Sequence, residues 1–332
     1  MKWDYLGNEW AVEHLSKHVR EDAPRHAYLI SGPSGIGKRT LGLRFAMALN
    51  CTQPTLGGDA CGACRSCVQI SKMQHPDLDI LQADQSTGQL KVDQIRELQH
   101  HLALSPYEAR YRIALLLNFE RANPNAANAL LKTLEEPPDQ VILILTADSP
   151  ENLLPTIVSR CEVIRLRPLR YELLASQLVR NLGVEPERAA ILAHVSNGCP
   201  GLAIRYQQQP SLFQDRQKEI MEHLRLLKSS YIERFFFADQ LSKEKDKQRL
   251  QFALESWLSF WRDAILVSNG AGNYLTNINL EGSLISSLER IPWQQALQAV
   301  TAIQKTMALL ETNVNSRLAL EVLVLNLPHL EG

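Results

Sequence analysis

Short apolar runs alternate with helical patterns through the first half of the chain. Residues 27–30, Ala-Tyr-Leu-Ile, read as a strand that runs straight into a glycine-rich loop, and residues 78–81, 113–117, 141–145 and 163–166 read as further strands. Between them apolar positions recur at helical spacing over 39–49, 92–102 and 125–134, and Pro137-Pro138 stops the last of these helices. Apolar strands separated by helices predict an α/β fold, a parallel sheet covered by helices.

After Pro168 the strand signals fade. A short helical region reaches to about Gln208 and contains Gly198-Cys199-Pro200-Gly201, a cluster of helix breakers, followed by Leu202-Ala203-Ile204. From Pro210 onward the pattern is helical throughout. Leu250, Leu254, Trp257, Leu258, Trp261 and Ile265 form one stripe, and residues 296–310 and 318–327 repeat the design, so these aromatics are expected in a core. The 332 residues exceed one ordinary core, in keeping with two or three domains.

Composition narrows the class. The chain is 45% hydrophobic and 21% charged, and no segment approaches the roughly 20 continuous apolar residues of a membrane span. The first ten residues lack a basic start followed by an apolar stretch, so no secretory signal is expected and a cytoplasmic location follows. A net charge of -1 gives no overall footprint for nucleic acid, so any DNA contact has to be local or shared with other chains.

Gly32-Pro33-Ser34-Gly35-Ile36-Gly37-Lys38 follows a predicted strand and opens a predicted helix, the context a phosphate-binding Walker A loop requires. Its glycines let backbone N–H groups turn onto phosphate oxygens, and Lys38 reaches the outer phosphates. The next position normally carries the Ser or Thr that holds Mg²⁺, and here it is Arg39. Thr40 comes one residue late, which on a helix turns the side chain by about 100°. The strand that should end in an acidic pair, one carboxylate for the metal and one for the attacking water, has Leu117 and Asn118 there instead. Glu120 is expected beyond the strand's end, the alternative being that it substitutes after a local shift. Both losses point to a loop that does not hydrolyse ATP.

Of six cysteines, Cys51, Cys61, Cys64 and Cys67 crowd into one stretch, while Cys161 and Cys199 stand apart. Four clustered thiols in a reducing compartment favour a closed tetrahedral zinc site over disulfides or a redox pair. With no open ligand position such a zinc is structural, fastening the loop between Leu49 and Pro76. Between Cys51 and Cys67 there is one basic residue, Arg65, and no aromatic, which disfavours an independent nucleic-acid-binding zinc module.

In combination, Arg25-His26-Ala27-Tyr28-Leu29, the Walker loop, the cysteine insertion, the run from Asn128 to Pro138 with Leu-Lys-Thr-Leu-Glu-Glu-Pro-Pro, and Ser159-Arg160-Cys161 resemble the clamp-loader AAA+ proteins of the bacterial replicative polymerase. Residues 313–321 look like that family's last collar helix. The resemblance implies a nucleotide-binding core over 1–167, a helical lid over 168–208 and a helical collar over 209–332 that joins other subunits. It also implies a non-motor subunit, because the family's motor subunits, gamma or tau, keep the Mg²⁺ hydroxyl and the acidic pair. Thr146 looks like the sensor 1 position. The sensor 2 arginine is missing from Gly198-Cys199-Pro200-Gly201, Arg205 coming too late, and the chain's end is expected to exclude a tau-like extension. Expected partners are the gamma or tau and delta subunits, the sliding clamp and primed DNA, with ATP or ADP bound weakly or not at all. Arg160 is implied to be an arginine finger directed at ATP in a neighbouring motor subunit.

Overall fold

The computed structural model describes residues 2–55, 57–84, 88–243, 247–278, 291–310 and 314–330; Asn313, from the collar reading, lies outside them. The chain divides into two compact units, Met1–Gln177 with Cys199–Leu202, and Leu178–Gly198 with Ala203–Gly332.

The first unit is built on five parallel strands, β1 (Ala27–Ser31), β2 (Leu78–Leu81), β3 (Arg112–Leu116), β4 (Val141–Ala147) and β5 (Glu162–Arg165), in the order β2-β3-β4-β1-β5. The three inner strands are buried along their whole length. A strand's side chains alternate between faces, so continuous apolar runs supply two cores at once. Tyr28, Ile30, Ile113, Leu115, Ile142 and Ile144 face α1 (Glu9–Arg20) and α2 (Lys38–Leu49), whose Val12, Leu15, Leu41 and Phe45 complete that layer. Leu29, Ala114, Leu116, Leu143 and Leu145 join Ile95, Leu98, Leu130 and Leu134 of two later helices on the opposite face. The parallel sheet covered by helices on both faces, expected from the alternating pattern, is thus present.

Between α2 and β2 lies α3 (Arg65–Ser71), and α4 (Val92–Leu102) and α5 (Pro124–Glu135) cover the second face. Asn123 caps α5 by accepting from the Ala126 N–H at 2.8 Å, with Pro124 in the first turn, where its missing N–H costs nothing. A short α6 (Pro155–Val158) precedes β5. The strand expected over 113–117 is displaced by one residue. Asn118 takes a left-handed φ of +50°, so the chain turns away although Leu117 is still buried.

Helices α7 (Tyr171–Leu182), α8 (Pro186–Val195) and α9 (Pro200–Gln208) lead into α10 (Pro210–Leu227), α11 (Tyr231–Ser242), α12 (Lys247–Ser268), α13 (Trp293–Leu310) and α14 (Ser316–Asn326). Within the second unit α12 packs on α10 and α13, and α11 packs on α14. Trp257 and Trp261 of the expected stripe are fully buried, and so is Phe260 between them. His223 lies among them and accepts a hydrogen bond at Nε2 from the Trp261 indole at 2.8 Å. The buried Arg234 guanidinium donates to the carbonyls of Leu227, Val324, Leu327 and Pro328, closing the otherwise orphaned ends of α10 and α14. Among the described residues no helix is long and apolar enough to cross a membrane.

Candidate functional site

The glycine loop joins the C-terminal end of β1 to the N-terminus of α2. Gly35 and Gly37 adopt φ of +76° and +106°, and a Cβ on Gly37 would lie 2.9 Å from the Tyr5 hydroxyl, so this turn requires glycine. Pro33 and Ser34 are exposed, whereas Ile36 is anchored in the core. Lys38, almost wholly buried, folds back on its own loop. Its Nζ donates to the Gly32 carbonyl at 2.5 Å and to the Asp148 carboxylate at 2.5 Å. The cation that an outer phosphate would need is therefore already paired within the chain.

Arg39 occupies the place of the magnesium-binding hydroxyl and is exposed, its guanidinium lying against the Met73 sulfur. Thr40 is exposed as well. At the end of β3 the Leu117 side chain is buried, and the Asn118 N–H donates to Thr146 Oγ1 at 2.8 Å, so the Thr146 hydroxyl ties β3 to β4. Glu120 stands past the strand in a single 3₁₀ turn, as expected, yet the left-handed turn at Asn118 brings it back toward the loop. Burial raises its carboxyl above the usual range, the Asp148 charge raises it further and the Lys38 charge opposes both.

Cys199–Leu202 packs directly on the glycine loop. The Leu202 N–H donates to the Gly35 carbonyl at 3.0 Å, and a Cβ on Gly201 would come within 2.8 Å of that same oxygen. Burial pushes the Cys199 thiol up to about 11 against the opposing influence of Lys38. The segment brings backbone and apolar surface to the loop, and no guanidinium.

Cys51, Cys61, Cys64 and Cys67 come together with their sulfurs all within 4.8 Å of one another. Cys61 Sγ accepts from the Cys64 N–H at 3.2 Å, which holds that thiol below the ordinary range, and Cys51 Sγ accepts from the Cys61 N–H at 3.2 Å. Amide donors aimed at sulfur stabilise thiolate, so the donor set fits a soft divalent cation held by four ligands. The cluster is not a free-standing knob: Cys67 and Ile70 belong to the core, and the other three cysteines pack against it.

Arg160 follows the short α6. Its Nη2 meets Glu135 Oε1 at 2.7 Å and its Nη1 donates to the Thr156 carbonyl at 2.9 Å. The Leu-Glu-Glu-Pro run and the Ser-Arg-Cys triplet are thus one contact in space. Cys161, beside it, is raised to about 12 by burial.

Sequence reasoning did not single out Asp148 or Glu135. Asp148 had one usable signal, its position just after a strand of a parallel sheet, where ligand-facing residues gather. Glu135 lay within the Asn128–Pro138 run already marked, but nothing there pointed to its partner 25 residues away.

Comparison with known proteins bears on both halves of the chain. A family described as DNA polymerase III, delta subunit, matches residues 7–170. The chain is 29% identical over 314 residues to DNA polymerase III subunit delta' of Bacillus subtilis, covering 94% of each. It is 40% identical over 186 residues to DNA polymerase III subunit delta' of Pseudomonas aeruginosa, covering 55% of this chain and 56% of that one. With DNA polymerase III subunit tau/gamma of Haemophilus influenzae it shares 30% identity over 219 residues, 64% of this chain and 31% of the relative.

Proposed function

We propose, from a chain that belongs to the delta-type clamp-loader subunits of DNA polymerase III, that it acts as a delta-prime stator. In this reading it holds gamma or tau and delta subunits in an assembly that places the sliding clamp on primed DNA, without hydrolysing ATP itself. The observation that carries the reading is Lys38 paired with Asp148 in a loop whose magnesium positions hold Arg39, Leu117 and Asn118. Hydrolysis needs Mg²⁺ bridging the phosphates and a carboxylate near the attacking water. The capping of Gly35 by Leu202 N–H supports the same conclusion, because the covering segment supplies no charge for a γ-phosphate.

In this reading the core spans 1–167, the lid 168–208 and the collar 209–332. A structural zinc on Cys51, Cys61, Cys64 and Cys67 pins the insertion to the core. Arg160 is the finger offered to a neighbour's ATP, Glu135 holding it meanwhile. The collar has a surface suited to partners: Tyr231, Ile232 and Phe236 on α11, and Leu318, Val322 and Leu325 on α14, are exposed although the two helices pack together.

Phosphate release from the pure chain tests the reading, and the expected rate is that of a blank. Mg²⁺-dependent turnover that disappears in Lys38→Ala would instead favour a motor with displaced ligands. Glu120 is the observation behind that second reading, since it lies within electrostatic reach of Lys38.

A further inference from the structure

Two histidines one turn apart on α1, His14 and His18, point the same way, as residues at i and i+4 do. Their rings are 4.8 Å apart. Opposite them stands Glu162, the first residue of β5. His14 Nε2 and Glu162 Oε1 are in direct contact, and His18 Nδ1 is 3.8 Å from Glu162 Oε2. The ligand atoms of all three residues lie within 4.8 Å of one another.

Glu162 Oε2 is shielded from solvent and accepts no hydrogen bond. It has longer ionic approaches only, to His18 and, at 3.9 Å, to Arg25 Nε, whose side chain is 73% exposed. A shielded carboxylate oxygen without a donor is costly unless something cationic sits there. Tyr28 fixes the second ring. Its hydroxyl accepts from the Arg25 N–H at 2.7 Å and lies 2.7 Å from His18 Nδ1. With that acceptor role filled, the hydroxyl proton points to Nδ1, whose lone pair faces Tyr28, so a metal ion has to displace this hydrogen bond to reach the nitrogen.

We propose that His14 Nε2, His18 Nδ1 and Glu162 form a second divalent-metal site, separate from the four cysteines and suited to zinc. Two imidazoles from one helical face and one carboxylate are a donor set that zinc accepts, with a fourth position open to water or to a group from another chain. Binding exchanges the Tyr28 hydrogen bond for a metal bond, and Tyr28 becomes an outer neighbour of the ligand. Arg25 is a competitor for the same carboxylate, and its exposure lets it swing away. The site ties α1 to the start of β5, two residues after Arg160.

The test uses the full chain, dialysed free of loose metal and then titrated with Zn²⁺ and, separately, Co²⁺. One equivalent beyond that held by thiolate is expected. Its cobalt form should show visible bands of nitrogen and oxygen ligation without thiolate charge transfer. His14→Ala and His18→Ala should each remove that equivalent, Cys64→Ser should leave it in place, and Arg25→Ala should tighten it severalfold. His14→Gln guards against damage to the helix, because it retains a hydrogen-bonding group beside Glu162 and should still lose the metal. The proposal is overturned if wild type takes no metal beyond the thiolate site, or if the extra equivalent survives in both histidine variants.

Discussion

Replacing Asp148 with alanine removes the partner that Lys38 now holds. The pair is one-sided in exposure, the lysine being 8% accessible and the aspartate 50%, so it lies between a surface and a buried ion pair. Such a pair is worth about 1–2 kcal/mol. Nucleotide has to break it before Lys38 can turn to a phosphate, and apparent affinity falls by the fraction of molecules in which the lysine is free. At 1–2 kcal/mol that fraction is about one in five to one in thirty. Asp148→Ala should therefore bind ADP roughly 5- to 30-fold more tightly than wild type. Hydrolysis should not appear, because the magnesium positions are unchanged. Titration of a fluorescent ADP, with and without Mg²⁺, reads both parts. Equal or weaker binding by the variant would refute the idea that the internal ion pair competes with phosphate.

Cys64→Ser should release the cluster's zinc and lower the melting temperature of the first unit while leaving the sheet's circular dichroism intact; metal analysis of wild type finding no zinc would defeat this. Arg160→Ala should leave folding unchanged and lower the ATPase of the reconstituted assembly at one interface, whereas Glu135→Gln, which only frees the guanidinium, should not lower it; identical rates for Arg160→Ala and wild type would remove the finger. His223, held near 3 by burial with Arg234 adding to the effect, is neutral when folded and charges near 6.5 when unfolded. A depressed histidine makes stability complete above pH 6.5 and erodes it by about 1.4 kcal/mol per pH unit as pH falls toward 3. His223→Phe should flatten that slope in urea unfolding followed by tryptophan fluorescence, at a cost near neutrality of about 1–3 kcal/mol for the indole N–H left unbonded; parallel slopes would show that another group titrates.

Much of the core was legible because its signals are local. Strand β2 falls where its apolar run predicts, and Gly35, Gly37 and Lys38 announce their turn by residue type and spacing. The four cysteines could be grouped for the same reason. What was not legible depends on the chain meeting itself. Nothing around Asp148 says that it will reach back 110 residues to Lys38, and the strand's end at Leu116 depends on Asn118 accepting a left-handed backbone while Leu117 remains apolar and buried. The attachment of Cys199–Leu202 to the first unit, away from its sequence neighbours, follows from two glycines that allow backbones to touch. The pattern of breakers marks that place but not its destination.

The order β2-β3-β4-β1-β5 leaves the two shortest strands outermost, each with four residues. Outer strands carry unpaired backbone groups, and a second copy that annealed to them would extend the sheet without limit. Here that route is obstructed by charge: Asp79 interrupts β2, and Glu162 and Arg165 bracket β5. Runaway growth through the sheet is thereby discouraged, and recognition is left to helical surfaces whose side chains can discriminate one neighbour from another. For the stator role proposed above that arrangement is an advantage, because self-adhesion would compete with every correct assembly step.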